Sequence, residues 1–329
     1  MHTLVVAPSW VGDAVLSHPM LVRVKERDPA GRIDVIAPPW VAPVYRRMPQ
    51  VAGVIEQPFG HGDLKLAERR RFAKGLRAYD RAIVLPNSWK SALIPWHAGI
   101  KRRTGYIGEL RYGLLNDARA LDTRALPLIA ERYAALAQPR REPLQRPLPS
   151  PRLAVDEAAR RATLRSFGLT LDRPVAAFAP GAEFGPSKRW PAQHFASLAR
   201  ILSTRGYQVW LFGSKKDAPI TAEIRDAAGG TCVDLAGRTT LDEAIDLLSL
   251  ATRVVTNDSG LMHIAAALDR PMAALFGSSS PAFTPPLSQR AVVISLRLSC
   301  SPCFKRECPL GHTNCLVTLQ PETVLAALQ

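Results

Sequence analysis

The 329-residue chain has 43 Lys and Arg against 28 Asp and Glu, and 47% of its residues are hydrophobic, which is enough apolar material for two domains. No apolar run reaches the roughly 18 residues of a membrane-spanning helix, and the N-terminus has no signal-peptide pattern, so we expect a cytoplasmic protein. Residues 1–150 hold 24 Lys and Arg against 13 Asp and Glu, which favours an anionic partner for that half.

The first half alternates short apolar runs with segments of helical spacing, a pattern typical of βαβ units and a mainly parallel sheet. Strands are predicted at Leu4–Ala7, Ile33–Ala37, Val54–Ile55 and Arg81–Leu85, and helices at about Ala14–Arg27, Val41–Met48 and Lys65–Leu76.

A proline-rich segment follows. Residues 139–151 read PRREPLQRPLPSP, and five prolines in this stretch cannot continue a helix or a central strand. We interpret the segment as a linker between a domain of residues 1–150 and a domain of residues 151–329.

The second half repeats the alternation of strands and helices. Strands are predicted at Val175–Ala179, Gln208–Phe212, Val233–Leu235, Arg253–Thr256 and Met272–Phe276, and helices at about Val155–Phe167, Ala192–Leu202, Ala218–Ala228, Leu241–Leu250 and Leu261–Leu268. The chain is therefore predicted to be an α/β protein with two Rossmann-like, doubly wound parallel sheets. Ligands bind outside the carboxyl ends of such strands, so two sheets facing a cleft would hold one substrate each.

The segment Pro180–Pro191, PGAEFGPSKRWP, connects a predicted strand to a helix. A turn of small residues lets backbone amides approach an anion, and Lys188 and Arg189 can neutralise it at the helix entrance. The sequence predicts a phosphate site here.

A second strand–turn–helix segment is Asn257–His263, NDSGLMH. Asp258 or Ser259 can simply cap the helix. Alternatively, the amides of Ser259 and Gly260 face a phosphate, while Asp258 accepts hydrogen bonds from sugar hydroxyls because a diphosphate would repel it. His263 lies one turn into the helix, where a core histidine is an equal alternative.

Three weaker candidates follow other strands of the second half. Asp234 ends a predicted strand, where acidic residues of dinucleotide folds bind a ribose. Gly213 and Ser214 follow the predicted strand Gln208–Phe212 and are also candidates for the binding site. A plain turn is an equally good explanation for these two residues.

Asp13 follows Gly12 in the first strand–helix turn. A glycosyl transfer requires that the acceptor hydroxyl lose its proton as it attacks, and a carboxylate can accept that proton. Capping of the following helix is the alternative role.

Basic residues of the first half are candidates for an anionic acceptor, although a solvated basic surface explains any one of them. Nucleic acid is disfavoured because no usual RNA- or DNA-binding motif occurs and aromatic residues are only 7% of the chain. The basic candidates are Lys65, Arg69, Arg70, Arg71, Lys90, Lys101, Arg102, Arg103 and Arg111, and Gly12, next to Asp13, is a further acceptor candidate.

Four of the five cysteines fall in one short segment: Cys300, Cys303, Cys308 and Cys315. Disulfides are not expected in the cytosol. Four thiols at this density could hold structural Zn²⁺, but the spacing is irregular, and packed reduced thiols or a redox role are the alternatives.

Five segments of this sequence resemble, in their residues and in their order along the chain, segments of the bacterial lipopolysaccharide heptosyltransferases, glycosyltransferase family 9. The resemblance runs from the first strand to about Pro286. The Lys188 segment is similar to the form found in the second enzyme of the inner core. The strings are Pro8–Asp13, Leu85–Ala92, Arg111–Asp117, Pro180–Pro191 and Asn257–His263.

The resemblance implies a GT-B fold whose last helix, about residues 321–328, packs on the N-terminal domain. It also implies inverting, metal-independent transfer of L-glycero-D-manno-heptose from ADP-heptose to the first heptose of the core, with no cofactor. By analogy Asp13 is the general base, Lys188 contacts the diphosphate and Asp234 the ribose. Asp258, Ser259, Gly260 and His263 contact the sugar nucleotide.

The implied acceptor is heptosyl-Kdo2-lipid A, reached at the cytoplasmic face of the inner membrane. Its negative charge agrees with the basic first half. A sister heptosyltransferase (I or III) is the alternative within the family. A sugar-nucleotide epimerase, or a non-catalytic anion-binding protein, is the alternative outside it.

Overall fold

The computed structural model describes residues 1–60, 63–76 and 78–328. Its contacts divide the chain into two compact units, Met1–Leu153 and Ala154–Gln329. The boundary lies just beyond the proline-rich segment 139–151, which contains no helix or strand. None of the helices in the described residues is long and apolar enough to cross a membrane.

The first unit is a parallel sheet in the order β3-β2-β1-β4-β5-β6, flanked by helices. Its strands are β1 (His2–Val6), β2 (Arg32–Ala37), β3 (Gly53–Glu56), β4 (Arg81–Val84), β5 (Arg102–Tyr106) and β6 (Asp117–Arg119). Its helices are α1 (Val11–Leu16), α2 (His18–Arg27), α3 (Ala42–Arg46), α4 (Leu66–Ala73), α5 (Trp89–His97) and α6 (Ile129–Leu136). The chain order reverses between β1 and β4.

The second unit repeats this topology with the order β12-β11-β10-β7-β8-β9. Its strands are β7 (Val175–Ala179), β8 (Gln208–Leu211), β9 (Cys232–Asp234), β10 (Arg253–Asn257), β11 (Met272–Leu275) and β12 (Ala291–Ile294). Its helices are α7 (Glu157–Ser166), α8 (Ala192–Thr204), α9 (Ala218–Ala227), α10 (Leu241–Leu248), α11 (Gly260–Ala267), α12 (Asn314–Val317) and α13 (Pro321–Ala326). The reversal lies between β7 and β10, so the predicted pair of Rossmann-like parallel sheets is confirmed.

The predicted helix Ala14–Arg27 is two helices, α1 and α2, which meet at Ser17. The Ser17 hydroxyl donates to the Ala14 carbonyl oxygen at 2.7 Å and lies 2.9 Å from the Tyr45 hydroxyl. Pro19 has no N–H to continue the ladder of α1 and is favourable in the first turn of α2. As a result, Asp13 belongs to a separate helix of six residues.

Periodicity did not predict α5, α6, β5, β6 and β12. β5 reads RRTGY and β6 reads DAR, so their charged residues hide the apolar run that marks a buried parallel strand. β6 is the edge strand of the first sheet and β5 lies next to it, and Arg102 at the start of β5 is exposed.

The last helix, α13, contacts α8 of the second unit. Its packing on the N-terminal domain, which the resemblance implies, stays a prediction. Val324 and Leu328 are buried in the same apolar core as Trp190, Leu198 and Leu316. Their apolar surface is therefore part of the second unit's own core.

We expect Val324→Ala to lower the free energy of unfolding by about 2 kcal/mol, because it leaves a cavity at a fully buried position. The same substitution at Val317, which is 43% exposed, is expected to change it by less than about 0.5 kcal/mol. Calorimetry of both variants measures the difference. Equal destabilisation would contradict the packing of α13 on the core.

Candidate active site

Two loops meet at the carboxyl edge of the second sheet, at the point where the strand order reverses. They follow β7 and β10, which pair directly. The buried Asn257 side chain joins them: its amide nitrogen donates to the Pro180 carbonyl oxygen at 2.6 Å, and its oxygen accepts from the Trp190 N–H at 3.1 Å. Asn257 thus fixes both ends of the loop 180–190, a role that the sequence analysis did not assign.

Lys188 and Asp258 form an ion pair across these loops, with Nζ 2.5 Å from Oδ2. The exposed fractions of the two side chains are only 17% and 5%. The pair brings together the residues predicted to bind a diphosphate and a sugar. Its low exposure strengthens the attraction, since the surrounding protein screens less than water does.

His263 is buried beside this pair. Burial lowers its pKa to about 4, with Asp258 opposing that effect and Lys188 adding to it. Its Nδ1 has no hydrogen-bond partner among the described residues. The imidazole is therefore neutral at physiological pH and offers an uncommitted polar atom next to Lys188 and Asp258.

Ser259 and Gly260 lie where they were predicted, at the start of α11. Ser259 is the N-cap residue, and its hydroxyl lies 3.4 Å from the Thr256 hydroxyl rather than capping the helix. The first-turn amides of α11 have no partner within the helix, and the helix dipole favours an anion there.

Asp217 is a residue that the sequence analysis missed. It is buried, and its carboxylate accepts from the Ser214 N–H at 2.9 Å and the Ser214 hydroxyl at 2.7 Å. A Cβ at Gly181 or Gly213 would come within 3 Å of the Asp217 side chain, so both glycines permit its close approach. The spacing Ser214-x-x-Asp217 is a capping box and could have revealed it.

Arg189 and Ser214 are thus both directed toward Asp217. An Arg189 terminal nitrogen lies 4.0 Å from Asp217 Oδ1 and 3.5 Å from the Ala182 carbonyl oxygen. The structure brings Arg189, Gly213 and Ser214 together, but around an acid of the protein itself.

Asp234 ends β9 as predicted, and its carboxylate is engaged inside the unit. Oδ2 accepts from the Thr221 hydroxyl and Oδ1 from the Ala236 N–H, each at 3.1 Å. These contacts fix the carboxylate at the strand end and leave its remaining acceptor positions for a ribose, which stays a prediction.

A cavity of about 520 Å³ lies at the carboxyl edge of the first sheet, where β1 and β4 reverse the strand order. Asp13 lines it from the first turn of α1. The other lining residues include Ser9, Trp10, Asn87, Ser88, Lys90, Tyr106, Glu109, Arg132 and Tyr133. Hydroxyl, amide and charged groups around an acid suit a hydrophilic ligand such as a sugar.

Two tyrosines of this cavity stay protonated. Burial, with the nearby Asp13 carboxylate adding to it, raises the pKa of Tyr133 well above the usual range. Burial raises the pKa of Tyr106 to about 12, and its hydroxyl donates to the Arg132 carbonyl oxygen at 2.7 Å. Neither was predicted, because α6, which carries Tyr133, and β5, which carries Tyr106, were not recognised.

The predicted acceptor residues differ in whether they line this cavity. Gly12 precedes Asp13 in α1, and Lys90 lines the cavity from the first turn of α5. On α4 it is Arg69 that lines the cavity, over the Phe59 ring at 4.4 Å, whereas Arg70 is exposed.

Arg111 has a different role from the predicted one. It is 1% exposed, and its guanidinium donates to the carbonyl oxygens of Pro86 and Tyr106 and to the Ser91 hydroxyl. Burial lowers its pKa to about 10. The expectation that Arg111 contacts the acceptor is therefore corrected: it holds the loop after β4 in place.

Lys101 and Arg102 lie at the amino end of β5, whereas Tyr106 at the carboxyl end lines the cavity. Five residues of strand separate the two ends by roughly 13 Å. The structure therefore does not bring these two cations to the cavity. Arg102 instead lies 3.4 Å from Asp117 of β6.

The four clustered cysteines are free thiols. In the part of the chain that the structure describes, no three His, Cys, Asp or Glu side chains are grouped so as to hold a metal ion. The zinc site that was one alternative for Cys300, Cys303, Cys308 and Cys315 stays a prediction. The pKa of Cys315 is raised by burial and by the other three thiols.

A family model described as glycosyltransferase family 9 (heptosyltransferase) matches residues 69–314, and these residues include most of both sites. The chain belongs to this family. It is 48% identical to lipopolysaccharide heptosyltransferase 2 of Escherichia coli, with 100% of this chain and 97% of the relative covered. It is 47% identical to lipooligosaccharide heptosyltransferase 2 of Haemophilus influenzae, with coverage of 100% and 98%.

A solved structure of E. coli ADP-heptose lps heptosyltransferase II has the same architecture. The TM-score is 0.90 at 46% sequence identity, and 100% of this chain and 97% of the other are covered. The chain is therefore a family 9 glycosyltransferase with the family's fold over its whole length.

The buried His263 predicts a pH dependence of stability. Its folded pKa of about 4 lies below the ordinary histidine pKa of 6.5, so between these values the unfolded chain binds a proton that the folded chain does not. Stability is complete above pH 6.5 and falls as the pH drops toward 4, by about 2 kcal/mol at pH 5. We expect His263→Gln to lose less stability than the wild type between pH 7.5 and 5.

Thermal unfolding at several pH values measures this slope, with His2→Gln, an exposed histidine, as control. His18, whose pKa burial also lowers to about 4, remains in every variant and contributes equally. Identical slopes for His263→Gln and the wild type would contradict the burial of a neutral imidazole.

Proposed function

We propose that the protein is a heptosyltransferase II. It transfers L-glycero-D-manno-heptose from ADP-heptose to the first heptose of the lipopolysaccharide inner core. The observation that carries the proposal is the Lys188–Asp258 pair at the reversal point of the second sheet, in a chain whose full-length relatives bear that enzyme's name.

The second unit binds the donor in this proposal. Lys188 and the first-turn amides of α11 contact the diphosphate, and Asp258 accepts hydrogen bonds from heptose hydroxyls once Lys188 turns to the phosphates. Asp234 contacts the ribose. The neutral His263 adds a hydrogen bond without adding charge, since its pKa of about 4 keeps it deprotonated.

The first unit binds the acceptor heptose in the cavity beside Asp13. Asp13 accepts the proton of the attacking hydroxyl as the bond to the anomeric carbon forms. Tyr133 stays a neutral phenol there and can hydrogen-bond a sugar hydroxyl without competing for the proton. Lys90 lies at the same cavity and attracts the anionic groups of the acceptor.

The reaction inverts the anomeric centre and requires no metal ion in this proposal. Inversion follows when the deprotonated hydroxyl attacks from the face opposite the departing ADP. Lys188 and the helix amides stabilise the charge that develops on the leaving diphosphate, which is the task that a divalent cation performs elsewhere. No cofactor is needed.

The acceptor, heptosyl-Kdo2-lipid A, is carried by a membrane, and we propose contact with the cytoplasmic face of the inner membrane. Two properties of the first unit support this. It holds the larger share of the chain's positive charge, and it exposes tryptophans, which favour membrane interfaces. These are Trp10, Trp40, Trp89 and Trp96, with exposed fractions between 38% and 49%.

The test is transfer of heptose from ADP-heptose to purified core acceptors of different length. We expect product with heptosyl-Kdo2-lipid A and little with acceptors lacking that heptose or already carrying the second one. Preference for either of the latter would instead identify heptosyltransferase I or III. Turnover of ADP-heptose without any acceptor, giving an isomeric sugar, would identify an epimerase.

Asp13→Asn is expected to slow transfer at least ~100-fold, because the amide cannot accept the hydroxyl proton. Affinity for ADP should stay within a few-fold of the wild type, since Asp13 lies in the other unit from the donor residues. Initial rates and ADP titrations measure the two effects. The control is Asp226→Asn, an exposed aspartate paired with Arg225. Near-normal turnover of Asp13→Asn would remove Asp13 from this role.

A further inference from the structure

A short segment of the C-terminal region, residues 301–306, runs along the donor edge of the second sheet. We name it the strap. The Ser301 hydroxyl donates to the Gly277 carbonyl oxygen at 2.5 Å, and the Phe304 N–H donates to the Ser278 carbonyl oxygen at 2.7 Å. These contacts attach the strap to the loop after β11, the strand next to β10.

The strap also holds the loop that carries Lys188. The Ser187 N–H donates to the Arg306 carbonyl oxygen at 3.1 Å, and the Ser187 hydroxyl donates to the Lys305 carbonyl oxygen at 2.5 Å. A Cβ at Gly185 would lie 2.5 Å from the same Arg306 oxygen, so glycine is required for this approach. Arg306 is thereby fixed next to the residues that precede Lys188.

The side chains of Arg306 and Lys188 meet the same aromatic ring. The Arg306 guanidinium carbon lies 5.7 Å from the centre of the Phe184 ring, and Lys188 Nζ lies 5.0 Å from it. Two cations therefore lie near one ring, where one alone would satisfy a cation–π contact.

The charges around this ring do not balance. Asp258 compensates Lys188 at 2.5 Å, and Asp217 lies 4.0 Å from Arg189. Within the described residues, no carboxylate lies within ion-pair distance of Arg306. A diphosphate carries a negative charge on each phosphate, and more charge develops as the sugar departs, so Lys188 alone does not compensate it.

We propose that Arg306 is a second cation for the donor diphosphate, held in place by the strap. The inference rests on the proposed donor site and adds to it a residue that lies beyond the sequence strings on which the resemblance was based. A guanidinium can donate two parallel hydrogen bonds to a phosphate, whereas the Lys188 ammonium acts as a point charge. Arg306 and Lys188 then contact the diphosphate together.

The test is the affinity of the full-length protein for ADP, measured by titration calorimetry. Arg306→Ala is expected to weaken ADP binding about tenfold, the loss for one charge-assisted contact at an accessible site. Arg306→Lys should recover part of that loss. Affinity for adenosine, measured by ligand-observed NMR, should change less than about twofold, because adenosine has no phosphate.

The matched control is Arg205→Ala, which removes the same charge from an exposed arginine. Arg205 follows the far end of α8, roughly 20 Å along the helix from the Lys188 loop. Lys188→Ala is the positive control and should also weaken ADP binding. Unchanged affinity in Arg205→Ala excludes a general effect of net charge.

Three results would overturn the inference. If Arg306→Ala binds ADP as the wild type does while Lys188→Ala does not, Arg306 only packs on Phe184 and the proposed donor site stands. If Arg306→Ala weakens adenosine and ADP equally, its role is structural. If the wild type itself fails to bind ADP, the donor site of the proposed function fails together with the inference.

Discussion

The second unit depends on one buried amide. Asn257 joins the Pro180 carbonyl oxygen to the Trp190 N–H and so sets the distance between the loops after β7 and β10. Without these two hydrogen bonds, buried polar groups of both loops would lose their partners. The Lys188–Asp258 pair, the first turn of α11 and the position of the strap all follow from that fixed spacing. The proposed donor site thus depends on two hydrogen bonds that are internal to the protein.

The sequence predicted which residues of the proposed donor site lie together, because the information for that site is mostly local. One short stretch of sequence contains an apolar strand, a turn with Lys188 and the start of a helix. The sheet topology then brings Asp258 next to Lys188. Asp217 was missed although its capping box is also local. The strap could not be predicted, since Ser187 and Arg306 are distant in sequence and meet through backbone atoms, which no residue pattern encodes.

The basic residues near the cavity of the first unit were predicted less well. A count of charges does not tell which way a side chain points or whether it is buried. Nothing in the sequence distinguishes Arg111 from a surface arginine, yet its guanidinium is buried and donates to backbone carbonyl oxygens. Lys101 precedes β5 and Arg102 begins it, so both lie at the end of the strand away from the cavity. Arg69 and Arg70 are neighbours on α4, and only Arg69 lines the cavity. The helical register decides between them, and a basic run without apolar spacing leaves that register undefined.

Residues 319–328 are integral to the second unit: the Trp190 indole donates to the Leu319 carbonyl oxygen, and Val324 fills the core below it. During synthesis these residues must therefore leave the ribosome before the loop 180–190 acquires its final support. The first unit can fold well before that moment, as domains of nascent chains commonly do. A polypeptide arrested before residue 319 would thus keep a formed cavity in the first unit and lack a finished loop 180–190 in the second.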